Sequence, residues 1–123
     1  MKYKNIFITG STGVVGKPLL KKLIENGHKV YALSRSEESK KYLEFQGVSV
    51  ISGDILTLNL IDQFQDINID AIFHVAGVNK MCSKNPKYMF DANIDGTKNI
   101  LSLGNELEIS KFVYTSSAVT LGE

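Results

Sequence analysis

Residues 3–16 read YKNIFITGSTGVVG, and the order of their parts decides the fold. The run at 3–9 is short, apolar and β-rich, as befits a central strand buried on both faces of a parallel sheet. It ends in a loop with glycine at every third position, Gly10, Gly13 and Gly16. An amphipathic stretch, residues 14–26, follows and sets Val15, Leu19, Leu20, Leu23 and Ile24 on one helical face. Strand, glycine loop and helix in that order open a βαβ unit. Gly27 fits the position just past a helix end, where positive φ is easy for glycine. Pro18 lies beyond the first turn of a helix beginning at 14 and predicts a small distortion there, not a break.

The same alternation continues outward. Residues 29–34 read as strand two, 37–46 as helix two and 48–53 as strand three. A short helix around 58–64 leads to strand four at 71–75, and the longest helical stretch, 87–107, leads to strand five at 111–115. Short apolar runs alternating with amphipathic stretches build a parallel sheet covered by helices. Right-handed crossovers and a reversal of direction after strand three give the order 3-2-1-4-5. The expected fold is therefore a three-layer α/β Rossmann-type sandwich, half or a little more of a doubly wound domain. Its ligand crevice should open above strands one and four.

A chain of 123 residues fits one domain, and its 43% hydrophobic and 22% charged content suits a globular core. A net charge of +1 gives no electrostatic reason to expect nucleic acid or an acidic membrane as partner. Cys82 is the single cysteine and cannot form an internal disulfide, which suits a reducing compartment. The apolar run at 6–8 is too short for a signal peptide or a membrane span. The expectation is a soluble, cytoplasmic chain without a metal site.

The loop has a chemical reading as well as a structural one. One glycine permits the tight turn, one lets the backbone approach a diphosphate, and one allows close helix–strand packing. The helix N-terminus adds unpaired N–H groups and partial positive charge for the phosphates. The plainer alternative is that three glycines simply make a turn. Four later segments follow the loop in order: Ser52-Gly53-Asp54-Ile55, His74-Val75-Ala76-Gly77, Asn93-Ile94-Asp95-Gly96-Thr97 and Tyr114-Thr115-Ser116-Ser117-Ala118. Together with the T-G-x-x-G-x-x-G loop they resemble the extended short-chain dehydrogenase/reductase family along the whole chain. That family includes NAD-dependent epimerases, dehydratases and dihydroflavonol-type reductases, and the neighbourhoods Asn85-Pro86…Asn93-Ile94-Asp95-Gly96-Thr97 and Tyr114-Thr115-Ser116-Ser117…Leu121-Gly122 most resemble its dihydroflavonol-reductase-like and sugar-epimerase branch.

The resemblance implies a set of cofactor contacts. In the loop they are Gly10, Ser11, Thr12, Gly13, Val14, Val15 and Gly16. After strand three come Asp54, expected on the adenine amino group, and Ile55. After strand four come Val75, Ala76 and Gly77; Asn93 lies in the long helix, and Thr115 and Ser116 close strand five. Ser117 matches the family's catalytic Ser/Thr, which hydrogen-bonds the reacting substrate oxygen. Each residue also has a plainer reading. Asp54 could only end a strand, and Ser117 could only satisfy local backbone. His74 has no paired carboxylate and reads as a packed histidine beside the cofactor turn. Cys82 reads as a small packed residue. Asn93 is disfavoured in a helix unless it has a hydrogen-bonding purpose.

Cofactor type turns on the end of strand two. An NAD site usually carries Asp or Glu there for the ribose hydroxyls, whereas this chain has Ser34, Arg35 and Ser36. The planar fork of Arg35 suits a 2′-phosphate, and Arg35 with Lys41 is similar to an arrangement of NADP-using reductases in the family. NADP is therefore favoured over NAD. The alternative is that both cations are solvated, with Glu37 and Glu38 near enough to pair with them.

Hydride transfer in the family also needs a tyrosine acid/base with a lysine four residues later, whose charge lowers the tyrosine pKa. Four residues after Tyr3, Tyr31, Tyr42, Tyr88 and Tyr114 stand Phe7, Arg35, Gln46, Ala92 and Ala118. None is lysine. The first expectation is an N-terminal segment of a longer enzyme, inactive alone, whose parent performs epimerisation, dehydration or carbonyl/alcohol redox on a small or nucleotide-linked sugar. The second is a free-standing dinucleotide-binding module or sensor without catalysis. An in-frame Y-x-x-x-K in the coding sequence after Glu123 separates the two. Strand five as an exposed edge, or the face of the 87–107 helix, predicts self-association, a homodimer.

Overall fold

The computed structural model describes residues 4–13, 15–57, 59–76 and 86–116. Its strands are β1 (Asn5–Thr9), β2 (Lys29–Ser34), β3 (Ser49–Ser52), β4 (Ala71–Ala76) and β5 (Lys111–Ser116). Its α-helices are α1 (Gly16–Glu25), α2 (Glu37–Phe45) and α3 (Pro86–Leu107), and a 3₁₀ helix spans Leu60–Phe64. All neighbouring strands pair parallel in the order β3-β2-β1-β4-β5. This is the order that the alternation predicts.

The three layers follow from strand periodicity. Side chains alternate across a strand, so Ile6 and Ile8 join Leu20, Leu23 and Leu43 beneath α1 and α2. Phe7 faces the other way, among Phe64, Ile72, Ile100 and Leu103 beneath the 3₁₀ helix and α3. Its ring meets that of Phe64 edge-on, with centroids 5.0 Å apart. One continuous apolar run thus supplies both cores, and burial on both faces is why β1 can be central.

The α1 boundary corrects the sequence reading. The helix begins at Gly16, two residues later than expected, with Val15 at its N-cap. Pro18 consequently falls in the first turn, where its missing N–H has no intrahelical partner to lose, and α1 runs unbroken to Glu25. At the other end, Gly27 takes φ 85°. Its N–H bonds to Ile24 and that of His28 to Leu23, the paired closure typical of a glycine-stopped helix.

No helix among the described residues is long and apolar enough to cross a membrane. The exposed large apolar side chains include Tyr114 on β5 and Ile94 and Leu101 on α3.

Candidate functional site

β1 is flanked by β2 on one side and β4 on the other, so the chain leaves in opposite directions above the sheet. A cleft of about 650 Å³ opens there, over the C-terminal ends of the strands. One wall is the glycine loop, Gly10, Ser11, Thr12 and Gly13, with Lys17. A second comes from the end of β2 and from α2, through Leu33, Arg35, Ser36, Glu38, Ser39 and Tyr42. Gly53, Asp54 and Ile55 follow β3, and Val75 of β4 completes the lining.

The three loop glycines have different reasons to be glycine. Gly10 takes φ 69°, and a Cβ there would run into the Val75 carbonyl oxygen. A Cβ on Gly16 would overlap the Gly10 carbonyl. These two let the loop rest on β4 and α1 rest on the loop. Gly13 differs: the nearest atom to a Cβ there is Gly10 O at 3.6 Å, an ordinary contact. Nothing in the described protein requires glycine at 13, so its missing side chain leaves cleft space free. Beside it the Ser11 hydroxyl is buried without a hydrogen-bond partner among the described residues. The N-terminus of α1 takes no side-chain cap and carries no acid in its first turn; the Lys17 N–H is bonded to Gly13 O and Pro18 has none, so it is the partial positive charge of the helix end that remains for an anion.

The end of β2 is held by serines. Ser36 caps α2 by accepting from the Ser39 N–H at 3.1 Å, and Ser34 Oγ donates to the Ser36 carbonyl at 2.9 Å. Between them Arg35 is exposed at the cleft and makes no ion pair among the described residues. Glu37 and Glu38 occupy the first turn of α2, where the helix dipole favours them. Lys41 is exposed on α2 and does not line the cleft. Lys17 does, its ammonium 4.9 Å from the centre of the Tyr42 ring.

Asp54 both shapes a turn and faces the cleft. Its Oδ1 accepts from the Leu56 N–H at 2.8 Å, and its own N–H donates to Thr57 Oγ1 at 2.9 Å. Oδ2 takes no hydrogen bond from the described residues. His74 is fully buried with both ring nitrogens engaged, Nδ1 2.7 Å from Thr9 Oγ1 and Nε2 3.0 Å from Thr97 Oγ1. Desolvation lowers its pKa to about 4, so the ring is neutral near pH 7 and serves as a packed tie.

Of the residues singled out from sequence, Gly10, Ser11, Thr12, Gly13, Arg35, Asp54, Ile55 and Val75 meet in this one cleft. Val15 and Gly16 sit where the loop becomes α1. Ala76, Thr115 and Ser116 stand at the ends of β4 and β5, where Val75 pairs with Thr115 and Ala76 with Ser116, and Asn93 lies within α3. Val14, Gly77, Cys82 and Ser117 lie outside the described residues. Sequence reasoning missed Lys17, Ser39 and Tyr42 in the lining. The signal for Lys17 was its place one residue past the third glycine.

A parallel sheet in this order, a glycine loop opening α1 and a cleft over the switch point define a Rossmann-type nucleotide-binding domain. The chain belongs to the NAD dependent epimerase/dehydratase family, whose model matches residues 6–123. A Synechocystis sp. protein provisionally named as a dihydroflavonol 4-reductase is 34% identical over 94% of this chain and 33% of its own length. The sterol-4-alpha-carboxylate 3-dehydrogenase (decarboxylating) of Dictyostelium discoideum is 32% identical over 93% of this chain and 35% of its own. Among solved structures, the UDP-N-acetylglucosamine 4-epimerase of Bacillus cereus superposes with a TM-score of 0.70 at 26% identity, over 90% of this chain and 34% of that one. The chain thus spans about a third of the length of the curated relatives it matches. Reductase, dehydrogenase and epimerase all appear among these names, so the relatives share a family and not a single reaction.

Proposed function

We propose that this chain holds NADP(H) in the cleft above β1 and β4 and serves an epimerase, dehydratase or reductase acting on a small or nucleotide-linked sugar substrate. The observation that carries the reading is Gly13: packing among the described residues leaves it free to bear a side chain, and the space beside it lies in the cleft. The residues present fit the cofactor. A diphosphate would rest on the glycine loop and the uncapped end of α1, near Lys17 and the unpartnered Ser11 hydroxyl. Asp54 would accept the adenine amino group with its free Oδ2. Arg35 would take the 2′-phosphate, for which its planar fork is suited, and no carboxylate stands at Ser34 to prefer a 2′-hydroxyl.

The bound nicotinamide would supply the hydride acceptor or donor. Ser117, by its family resemblance, would hydrogen-bond the substrate oxygen. The 123 residues hold no Tyr-x-x-x-Lys pair, so the chain alone binds without turnover. Calorimetric titration with NADPH and NADH tests this, with NADPH expected to bind tighter. Binding of neither overturns the reading, tighter NADH overturns the role of Arg35, and hydride turnover by this chain overturns the inactivity.

A further inference from the structure

We infer that Asn99 is a positioning residue for the adenine end of the cleft: it holds the turn that carries Asp54, and so sets the preference for a base bearing a 6-amino group. The inference rests on the dinucleotide reading above and concerns a residue forty-odd positions away from the turn it holds.

Pairing of β3 with β2 ends at Ser52, and one last backbone bond, from Gly53 N–H to Ser34 O at 2.8 Å, ties the chain to the sheet. Beyond it the turn is closed locally. Thr57 N–H donates to Asp54 O at 3.0 Å, and Asp54 uses its own N–H and Oδ1 within the same turn. These bonds fix the turn's shape but not its place. Its place is set by α3. Asn99 Nδ2 donates to Ile55 O and to Thr57 O, both at 2.9 Å, so one amide uses its two protons on carbonyls two residues apart. One turn earlier on the helix, Gly96 leaves the space that the Ile55 side chain fills, and a Cβ there would overlap it. Asparagine and glycine both weaken a helix interior, and here each has a partner that accounts for it.

The next residue along, Thr97, ties the same helical turn through His74 to Thr9, directly before the glycine loop. Residues 96–99 therefore fix one cleft wall against the other. Because Asp54 Oδ1 is engaged inside the turn, the free Oδ2 is aimed by where α3 holds that turn.

The test compares NADPH with its hypoxanthine counterpart, in which oxygen replaces the 6-amino group, by calorimetry on the 123-residue chain. The wild type is expected to bind NADPH about tenfold tighter, the scale of one hydrogen bond to a carboxylate. Asn99→Asp, which sets an acid against two carbonyl oxygens, is expected to bring the two affinities within about twofold. Gly96→Ala reaches the turn through Ile55 instead and should do the same. This variant decides the matter if Asn99→Asp does not fold. Equal weakening of both ligands with the preference intact shows a merely structural role and overturns the inference, as does an unchanged variant. A wild type without preference overturns it together with the role of Asp54. A wild type that binds no dinucleotide overturns the underlying reading instead.

Discussion

His74 Nε2 stands 3.0 Å from the hydroxyl of Thr97, and the opposite ring nitrogen stands 2.7 Å from Thr9. The imidazole thus joins β1, β4 and α3 beneath the cleft, a neutral ring with one donor and one acceptor between hydroxyls that can play either part. Burial lowers its pKa from 6.5 to about 4. Between those values the unfolded chain binds a proton that the folded chain refuses, so stability falls as pH falls from 6.5 towards 4. The loss from this group is expected to be roughly 3 kcal/mol by pH 4. Urea unfolding of wild type and His74→Gln at pH 7, 5.5 and 4.5 measures it. The stability gap between the two proteins should narrow with acid, and a gap constant with pH contradicts the assignment.

Gly13 and Gly16 separate binding from folding. A methyl on Gly13 meets only ordinary contact, so Gly13→Ala should keep wild-type stability within about 0.5 kcal/mol while losing at least about tenfold in dinucleotide affinity. A methyl on Gly16 overlaps backbone that cannot yield, and Gly16→Ala should cost about 3 kcal/mol or more. Chemical denaturation and NADPH titration of both variants check the pair. A Gly13→Ala protein that binds normally shows that the free space is not the cofactor's.

The fold was legible because its signals are local and agree with one another. Ile6, Phe7 and Ile8 already say that both faces of β1 are covered, and the strand order follows from topology rules once the alternation is read. The α1 boundary was harder, since Val15 suits a helical face as well as it suits the loop end. Pro18 in fact marked the true start, as a residue suited to a first turn. In the site, Gly10, Gly13, Arg35 and Asp54 declare themselves through short motifs at strand ends. Lys17 and Tyr42 meet only because α1 and α2 lie side by side, and Asn99 gains its meaning from carbonyls on another element. No spacing within one segment encodes those contacts.

Arg35 and Lys41 should part company on substitution. Among the described residues Arg35 lines the cleft without an ion-pair partner, whereas Lys41 is exposed outside the lining. Arg35→Gln should weaken NADPH about tenfold or more and leave NADH within about twofold. Lys41→Gln should change neither appreciably, and Lys17→Gln, beside the diphosphate position, should weaken both. Six titrations with two cofactors settle the assignment. A selective NADPH loss in Lys41→Gln would restore the pairing of Arg35 with Lys41 that sequence spacing suggests.

Asp70 offers the converse test, at the end of the sheet away from the cleft. Its Oδ2 accepts from the backbone N–H groups of Lys4 at 2.9 Å and Asn5 at 2.8 Å. Its own N–H donates to Asn5 O at 2.9 Å, and its carbonyl accepts from Ser110 at 2.8 Å. One residue therefore secures the entry of β1, β4 and β5 together. Removing the carboxylate strands two amide donors that otherwise meet a charged acceptor, so Asp70→Ala should cost about 2 kcal/mol. Asp70→Asn keeps a neutral acceptor and should cost about half as much. Because the cleft is built at the opposite strand ends, NADPH affinity at a temperature where each variant is folded should stay at the wild-type value. Affinity that falls in step with stability would mean that the two ends of the sheet are coupled, and that cleft geometry is set by the whole sheet and not by the turns above it.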